Sequence, residues 1–286
     1  MKILVTGEKG QLGSELKKNS PTNNNFEWIF TDRQSFNISD LENINVFLDK
    51  SSPDIIINCA AYTAVDNAED DFEPANTINH KSVELIAKWS NDNNCKLIHI
   101  STDYVYDGSS LIAVKEDTQA NPVNNYGKTK LFGDLACLKN NPSSIIIRTA
   151  WLYSSFGNNF VKQMINLMKS KSELNVINDQ VGSPTFAADL AEVILRIINA
   201  NNWKPGIYHY TNLGKVSWFD FANDIKSIYG FNKSIDSISS QEYSIKIKRP
   251  KYSLLDNSKI KNTFDINQKN YLDSLRKCIK IIQNES

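Results

Sequence analysis

A tyrosine and a lysine four positions apart, Tyr126 and Lys130, and a threonine about two dozen residues upstream, Thr102, are of types and spacing that can carry a reaction. If Tyr126 opens a helix, Lys130 lies one turn further on the same face, with Cβ atoms about 5–6 Å apart. A phenol and an ammonium then point into one place. That pairing suits carbonyl reduction: the phenol gives a proton to the oxygen that becomes an alkoxide, and the cation favours the phenolate left behind. A free phenol, with a pKa of about 10, is too weak an acid near neutral pH without help. Lys130 and the positive end of the helix are expected to supply it. The hydroxyl of Thr102, between Ser101 and Asp103, can hold the same substrate oxygen, or simply cap a loop. On its own, Y-x-x-x-K also fits an ordinary surface helix, so the weight falls on the elements that would position it.

Those elements begin at the first residues. Lys2-Ile3-Leu4-Val5-Thr6 is strand-like and runs into Gly7-Glu8-Lys9-Gly10-Gln11-Leu12-Gly13, then into the helical Ser14-Glu15-Leu16-Lys17-Lys18. In a strand–turn–helix unit, Gly7, Gly10 and Gly13 permit a tight turn, and backbone N–H groups around Gln11 and Leu12 can approach a pyrophosphate. A second strand, Glu27 to Thr31, closes with Asp32-Arg33 about twenty residues past the glycines, where a dinucleotide fold meets the adenosine ribose. A carboxylate there favours the ribose hydroxyl of NADH, while the arginine can pair with the 2′-phosphate of NADPH. The two side chains pull in opposite directions, with a modest lean to NADPH.

Ser39-Asp40-Leu41-Glu42 has the form of a capping box opening a helix that Pro53 stops. Asp54-Ile55-Ile56-Ile57-Asn58 is a nearly continuous apolar strand, as a sheet covered on both faces requires. It leads into Cys59-Ala60-Ala61-Tyr62-Thr63-Ala64-Val65-Asp66, whose small residues would let a cofactor approach Ala61, Tyr62 and Thr63, or serve packing alone. A helix over 73–91, a strand 96–101, the Tyr126 helix and a strand 143–149 complete five alternations of strand and helix. The pattern predicts a doubly wound parallel α/β sheet of Rossmann type with ligands at the carboxyl ends of its strands. Residues 1–150 read as the dinucleotide-binding domain. Residues 151–286 read as a smaller substrate-binding lobe interleaved with late strands of the sheet. That lobe holds helices near 158–170 and 187–200, strands near 174–177 and 206–211, a helix capped by Ser217 with Asp220 at its third position, and a terminal helix near 268–283.

The totals bound the function. Thirty-two basic residues balance thirty-two acidic ones in a chain of 286, so no net field draws it to nucleic acid or an anionic membrane. The apolar runs are strand-sized and the first residues pass directly into structure, which places the chain in the cytoplasm. Cys59, Cys95, Cys137 and Cys278 are far apart, and His80, His99 and His209 form no metal-ligand spacing, so no metal site is expected.

With the glycine unit, the Ser101-Thr102 strand end and the Tyr126/Lys130 pair in order, the chain resembles the extended short-chain dehydrogenase/reductases, whose catalytic set Thr102, Tyr126 and Lys130 match. Within them, STDYVYDG (101–108), NNYGKTK (124–130), RTAWLY (148–153), NNF (158–160), VINDQVGSPT (176–185) and RPKYSLLD (249–256) are similar to the dTDP-4-dehydrorhamnose reductase family over nearly the full length. The resemblance implies reduction of the C4 ketone of dTDP-4-dehydro-L-rhamnose by NADPH, with NADH as an alternative. It also implies that Lys130 holds the nicotinamide ribose. Trp151 would contact the sugar nucleotide, with Asp103 beside it, although an indole there serves core packing equally well. Arg249 would be a diphosphate ligand. Many relatives carry an aspartate where this chain has Asn37-Ile38-Ser39, a departure that touches the adenine end only. Some relatives bridge dimers through magnesium-bound carboxylates at a position matched by Glu15, so a homodimer stays open, with a surface glutamate as the default. The rivals are an enzyme for another nucleotide-linked 4-keto sugar and a non-catalytic regulatory subunit of the same family.

Overall fold

The protein is described by a computed structural model covering residues 1–20, 26–200, 202–243 and 247–285. Its central sheet is built from β1 (Lys2–Thr6), β2 (Glu27–Thr31), β3 (Ile55–Asn58), β4 (Lys96–Thr102), β5 (Ile145–Thr149) and a late strand, Gly206–His209. All pair in parallel, in the order β2-β1-β3-β4-β5 followed by Gly206–His209. The chain winds outward from β1 to β2, then returns to the other side of β1 to lay down β3. This reversal opens a crevice at the carboxyl ends of β1 and β3, where a doubly wound sheet holds its ligand.

Alternation along the strands assigns each residue to a face. Ile3, Val5, Ile55, Ile57, Ile145 and Ile147 pack on one side with Leu12 and Leu16 of α1 (Gln11–Asn19), whereas Leu4, Ile56, Leu97 and Ile146 pack on the other. The second face is covered by α2 (Asn43–Ser51), α4 (Ser82–Asp92) and α5 (Asn125–Asn140), with α3 (Phe72–Asn76) leading into α4. Between α3 and α4 the helix widens into a π turn, Thr77–Lys81. The 73–91 helix is therefore real but locally unwound, a feature often tied to function.

Later segments serve both layers. The helix Ala187–Asn199 packs on α1, and its Leu190, Ala191 and Ile194 complete the first face together with Ile260 and Phe264 of the helix Ser258–Phe264. A separate core joins the helices Phe160–Ser170, Trp218–Tyr229 and Tyr271–Asn284. There the strand Glu173–Ile177 pairs in parallel with Ser234–Ile238, which the sequence pattern did not reveal. The Ser217/Asp220 capping box is present in full. The one at Ser39 is not. Asn37 Oδ1 accepts from both the amide and the hydroxyl of Ser39, so that hydroxyl is spent on a local turn and α2 starts only at Asn43, without a side-chain cap. Among the described residues, no helix is long and apolar enough to cross a membrane.

Two glycines let α5 approach its neighbours. A Cβ on Gly133 would lie 2.0 Å from the carbonyl oxygen of Asn79 in the π turn. Alanine is the better helix former by about 1 kcal/mol, yet such a collision with backbone costs about 1–3 kcal/mol. Gly133→Ala is expected to lower the melting temperature by several degrees in calorimetry. An unchanged or higher melting temperature would show that the π turn yields freely.

Candidate active site

The end of β4 and the start of α5 make the candidate reacting corner, where Thr102, Tyr126 and Lys130 meet. Asn124 Oδ1 accepts from the amide of Gly127 at 2.8 Å and caps α5, while its own amide donates to the carbonyl of Lys248. A Cβ on Gly127 would come within 2.2 Å of the Tyr104 carbonyl oxygen, so only glycine lets the helix begin this close to the turn that follows β4. Tyr126 is buried, with the Tyr104 ring edge-on at 5.5 Å, and Lys130 is buried one turn on. Lys130 Nζ donates to the carbonyl of Ile100 at 2.7 Å. Thr102, the last residue of β4, donates to Asp103 Oδ1 at 3.0 Å and accepts from the amide of Tyr104. It thus caps the turn as well as facing the phenol.

Burial dominates the electrostatics. It pulls the Lys130 ammonium down to about 8, against the attraction of Asp134, and pushes the Asp103 carboxyl up to about 6, opposed by the hydroxyls of Ser253 and Thr102. The Tyr126 phenol is raised by the same desolvation, with Thr102 pulling it back. Desolvation thus outweighs whatever help Lys130 gives the phenol in this state. Burial favours the neutral phenol, and the Lys130 ammonium lies against the Ile100 carbonyl.

The cofactor side lies at the switch point. Gly7 has φ +72°, and a Cβ there would meet the Ala60 backbone at 3.0 Å; one on Gly13 would meet the Gly7 carbonyl oxygen at 2.2 Å. Gly10 precedes α1 with no side-chain cap, so the first-turn N–H groups of α1 are a ready anion site. Together these features fit a dinucleotide. Asp32 is more engaged than expected: Lys9 pairs with it, and Oδ1 accepts from the amides of Gln34 and Ser35. These bonds hold its carboxyl well below the usual range, so it stays charged, yet Lys9 offsets that charge. Asn79, which sequence reasoning missed, accepts from the amide of Tyr62 at 2.9 Å and donates to its carbonyl and to Thr129. Only the fold brings this side chain to the 61–63 segment.

Every residue expected from the sequence to react or to bind cofactor or substrate, except Arg249, lines one cavity of about 1190 Å³. Trp151 is on its wall with φ +49°, stacked on Trp218 at 3.5 Å and 6°. Trp218, also unforeseen, shares with Phe160 the wall of a second cavity of about 630 Å³. Arg249 lines that second cavity, its guanidinium on Asp66 at 2.6 Å. Tyr104, raised to about 12 by burial and pulled back by Arg249, links the arginine to the reacting corner. Glu15 is no surface glutamate: it is buried and accepts from the Ser154 hydroxyl at 2.6 Å, with its carboxyl raised by burial.

Residues 1–284 match the RmlD substrate binding domain family. The chain belongs to that family. Within the RmlD family, the dTDP-4-dehydrorhamnose reductase of Aggregatibacter actinomycetemcomitans is 36% identical over 285 residues, covering 96% of this chain and 97% of its own length. A crystal structure of the Clostridium acetobutylicum dTDP-4-dehydrorhamnose reductase superposes with a TM-score of 0.94 at 41% identity, covering 99% of this chain and 100% of that one. The Bacillus anthracis enzyme, crystallised in complex with NADP, gives 0.93 at 33% identity, covering 98% and 99%.

The ribose end of the cavity gives a test of cofactor choice. Charged hydrogen bonds are the strong ones, so Arg33→Ala should lose roughly ten- to a hundredfold in affinity for NADPH and little for NADH. Lys9→Ala should move selectivity the same way by exposing the charge of Asp32. Titration of both cofactors against both variants checks this, and equal losses for the two cofactors would place these cations away from the 2′-phosphate.

Proposed function

We propose that this chain is an NADPH-dependent reductase, able to use NADH less well, that converts dTDP-4-dehydro-L-rhamnose to dTDP-L-rhamnose. The observation that carries this reading is the sharing of one cavity by the glycine turn and the buried Tyr126/Lys130 pair, with an arginine-headed cavity behind a common wall. The cofactor would rest on the first turn of α1, with its ribose ends toward Arg33 and Lys130, and when bound supplies hydride to C4. Thr102 orients the C4 oxygen. Tyr126 gives that oxygen its proton: the raised phenol stays protonated until the oxygen becomes a strong base. Lys130 then stabilises the phenolate, more strongly because the site is dry.

Residues 1–150 serve the cofactor in this reading and 151–286 the nucleotide sugar. Trp151 and Trp218 flank the sugar, and the nucleoside diphosphate reaches Arg249, whose planar cation suits phosphate oxygens. Nucleotide sugar and dinucleotide are both cytoplasmic reactants, which sets the compartment.

Monitoring NADPH oxidation with enzymatically prepared dTDP-4-dehydro-L-rhamnose, and identifying the product, tests the whole assignment. Equal turnover of differently linked 4-keto sugars would redirect it. Tyr126→Phe should keep the fold and cofactor affinity and lose about 10²–10⁴-fold in turnover; near-normal turnover would remove the phenol from the reaction. Arg249→Ala should raise the substrate KM far more than that of the cofactor, and equal effects on both would argue against a diphosphate contact.

A further inference from the structure

Beneath the reductive pair runs a file of buried polar side chains that the reaction just described does not use. Thr6 of β1 donates to Asn58 of β3 at 2.7 Å, and the Asn58 amide meets His99 Nδ1 of β4 at 3.2 Å. His99 Nε2 faces Asp134 Oδ1 of α5 at 3.8 Å, and Asp134 Oδ2 accepts from Arg148 Nε of β5 at 2.9 Å. Arg148 also donates to the Tyr106 hydroxyl at 2.7 Å, which meets His209 Nε2 at 2.8 Å.

Burial drives both histidines far below their ordinary range, so they are neutral. The charges here are thus the Asp134 carboxylate, the Arg148 guanidinium and the Lys130 ammonium, all buried. Lys130 and Asp134 are four residues apart on α5 and so share a face. An ammonium out of water is strongly disfavoured unless a counter-charge is near. Asp134 Oδ2 is tied to Arg148, while Oδ1 has no hydrogen-bond partner among the described residues.

We propose that Asp134 is a positioning residue for Lys130: one helical turn beyond it and pinned by Arg148, its carboxylate keeps the buried side chain an ammonium, the form that phenol and cofactor ribose require. This rests on the role given to Lys130 above. The other groups acting around Lys130 are Tyr126 and Cys137 on α5, Cys59 after β3 and His99 on β4. Tyr126, both thiols and His99 are held in their neutral forms by burial, which leaves Asp134 as the carboxylate acting on Lys130.

The sign follows directly. With Asp134 present, the ammonium persists up to about pH 8; without that charge it loses its proton at lower pH. Asp134→Asn keeps the shape and an amide oxygen for Arg148. It should move the basic limb of kcat/KM down by roughly one unit or more, with a similar shift in the pH dependence of NADPH affinity measured by fluorescence titration. Affinity should fall roughly tenfold near pH 8 and little at pH 6, and Asp134→Glu should restore the limb. Arg148→Gln should move it the opposite way, by leaving Asp134 wholly to Lys130, and serves as the test if the asparagine variant does not fold. A loss by one factor at every pH, unmoved profiles, or shifts of the same sign in the two variants would overturn the proposal. The NADPH titration decides this even if the sugar proves not to be the substrate.

Discussion

An ammonium and a phenol buried side by side at the carboxyl edge of a parallel sheet are the constraint on which the rest of this structure turns. Neither group is at home there: desolvation weakens Lys130 as a cation and Tyr126 as an acid. What makes the pair tenable is proximity to backbone. The Ile100 carbonyl accepts a hydrogen bond from Lys130 Nζ at 2.7 Å, and this is possible only because α5 lies almost against β4 and the turn after it. The glycines of α5 secure that approach, since a side chain at Gly127 or Gly133 would strike the Tyr104 or Asn79 carbonyl oxygen.

The same closeness explains the π turn before α4. Widening the helix at Thr77–Lys81 turns Asn79 inward, where its amide closes a ring of hydrogen bonds with both backbone groups of Tyr62 and reaches Thr129 of α5. One side chain thus ties the segment after β3 to α5. Local irregularity in the helix gives rigidity to the site, as the cost of a strained turn is offset by satisfying buried backbone groups that would otherwise lack partners.

Much of this was legible in the sequence, for physical reasons that also mark where legibility ends. The apolar runs at β1, β3 and β5 have no polar alternation because both sheet faces are covered, so the alternation of strand and helix and the glycine turn could be read by inspection. Tyr126, Lys130 and Thr102 could be singled out because carbonyl reduction dictates such a spacing, and the fold brings the three into one cavity. Asn79, Lys9 and Trp218 were missed because each acts across the fold on a residue distant in sequence or through an ion pair that no spacing rule encodes. Ser39 misled because its hydroxyl had a nearer partner in Asn37, and Ser234–Ile238 escaped because a two-stranded ribbon with one polar edge carries little pattern. Glu15 was misjudged for a similar reason: nothing local announces Ser154, which arrives from 139 residues away.

Trp151 shows how the second half of the chain is joined to the first. Its φ of +49° is uncommon for a bulky side chain, and holding it costs on the order of 1–3 kcal/mol. The conformation persists because the ring is clamped: Trp218 stacks on one side, and Gly182 leaves room, since a Cβ there would come within 2.8 Å of the indole. Phe160 then packs on Trp218 at 4.5 Å. The indole clamped in this way backs Trp218, which with Phe160 is common to the walls of both cavities. In the proposed reading, a ligand that reaches both cavities passes Trp218 and Phe160, so its length and charge are selected before any chemistry begins. Selection by length and charge at a site remote from the hydride is how binding energy can position a small ketone that offers few contacts of its own.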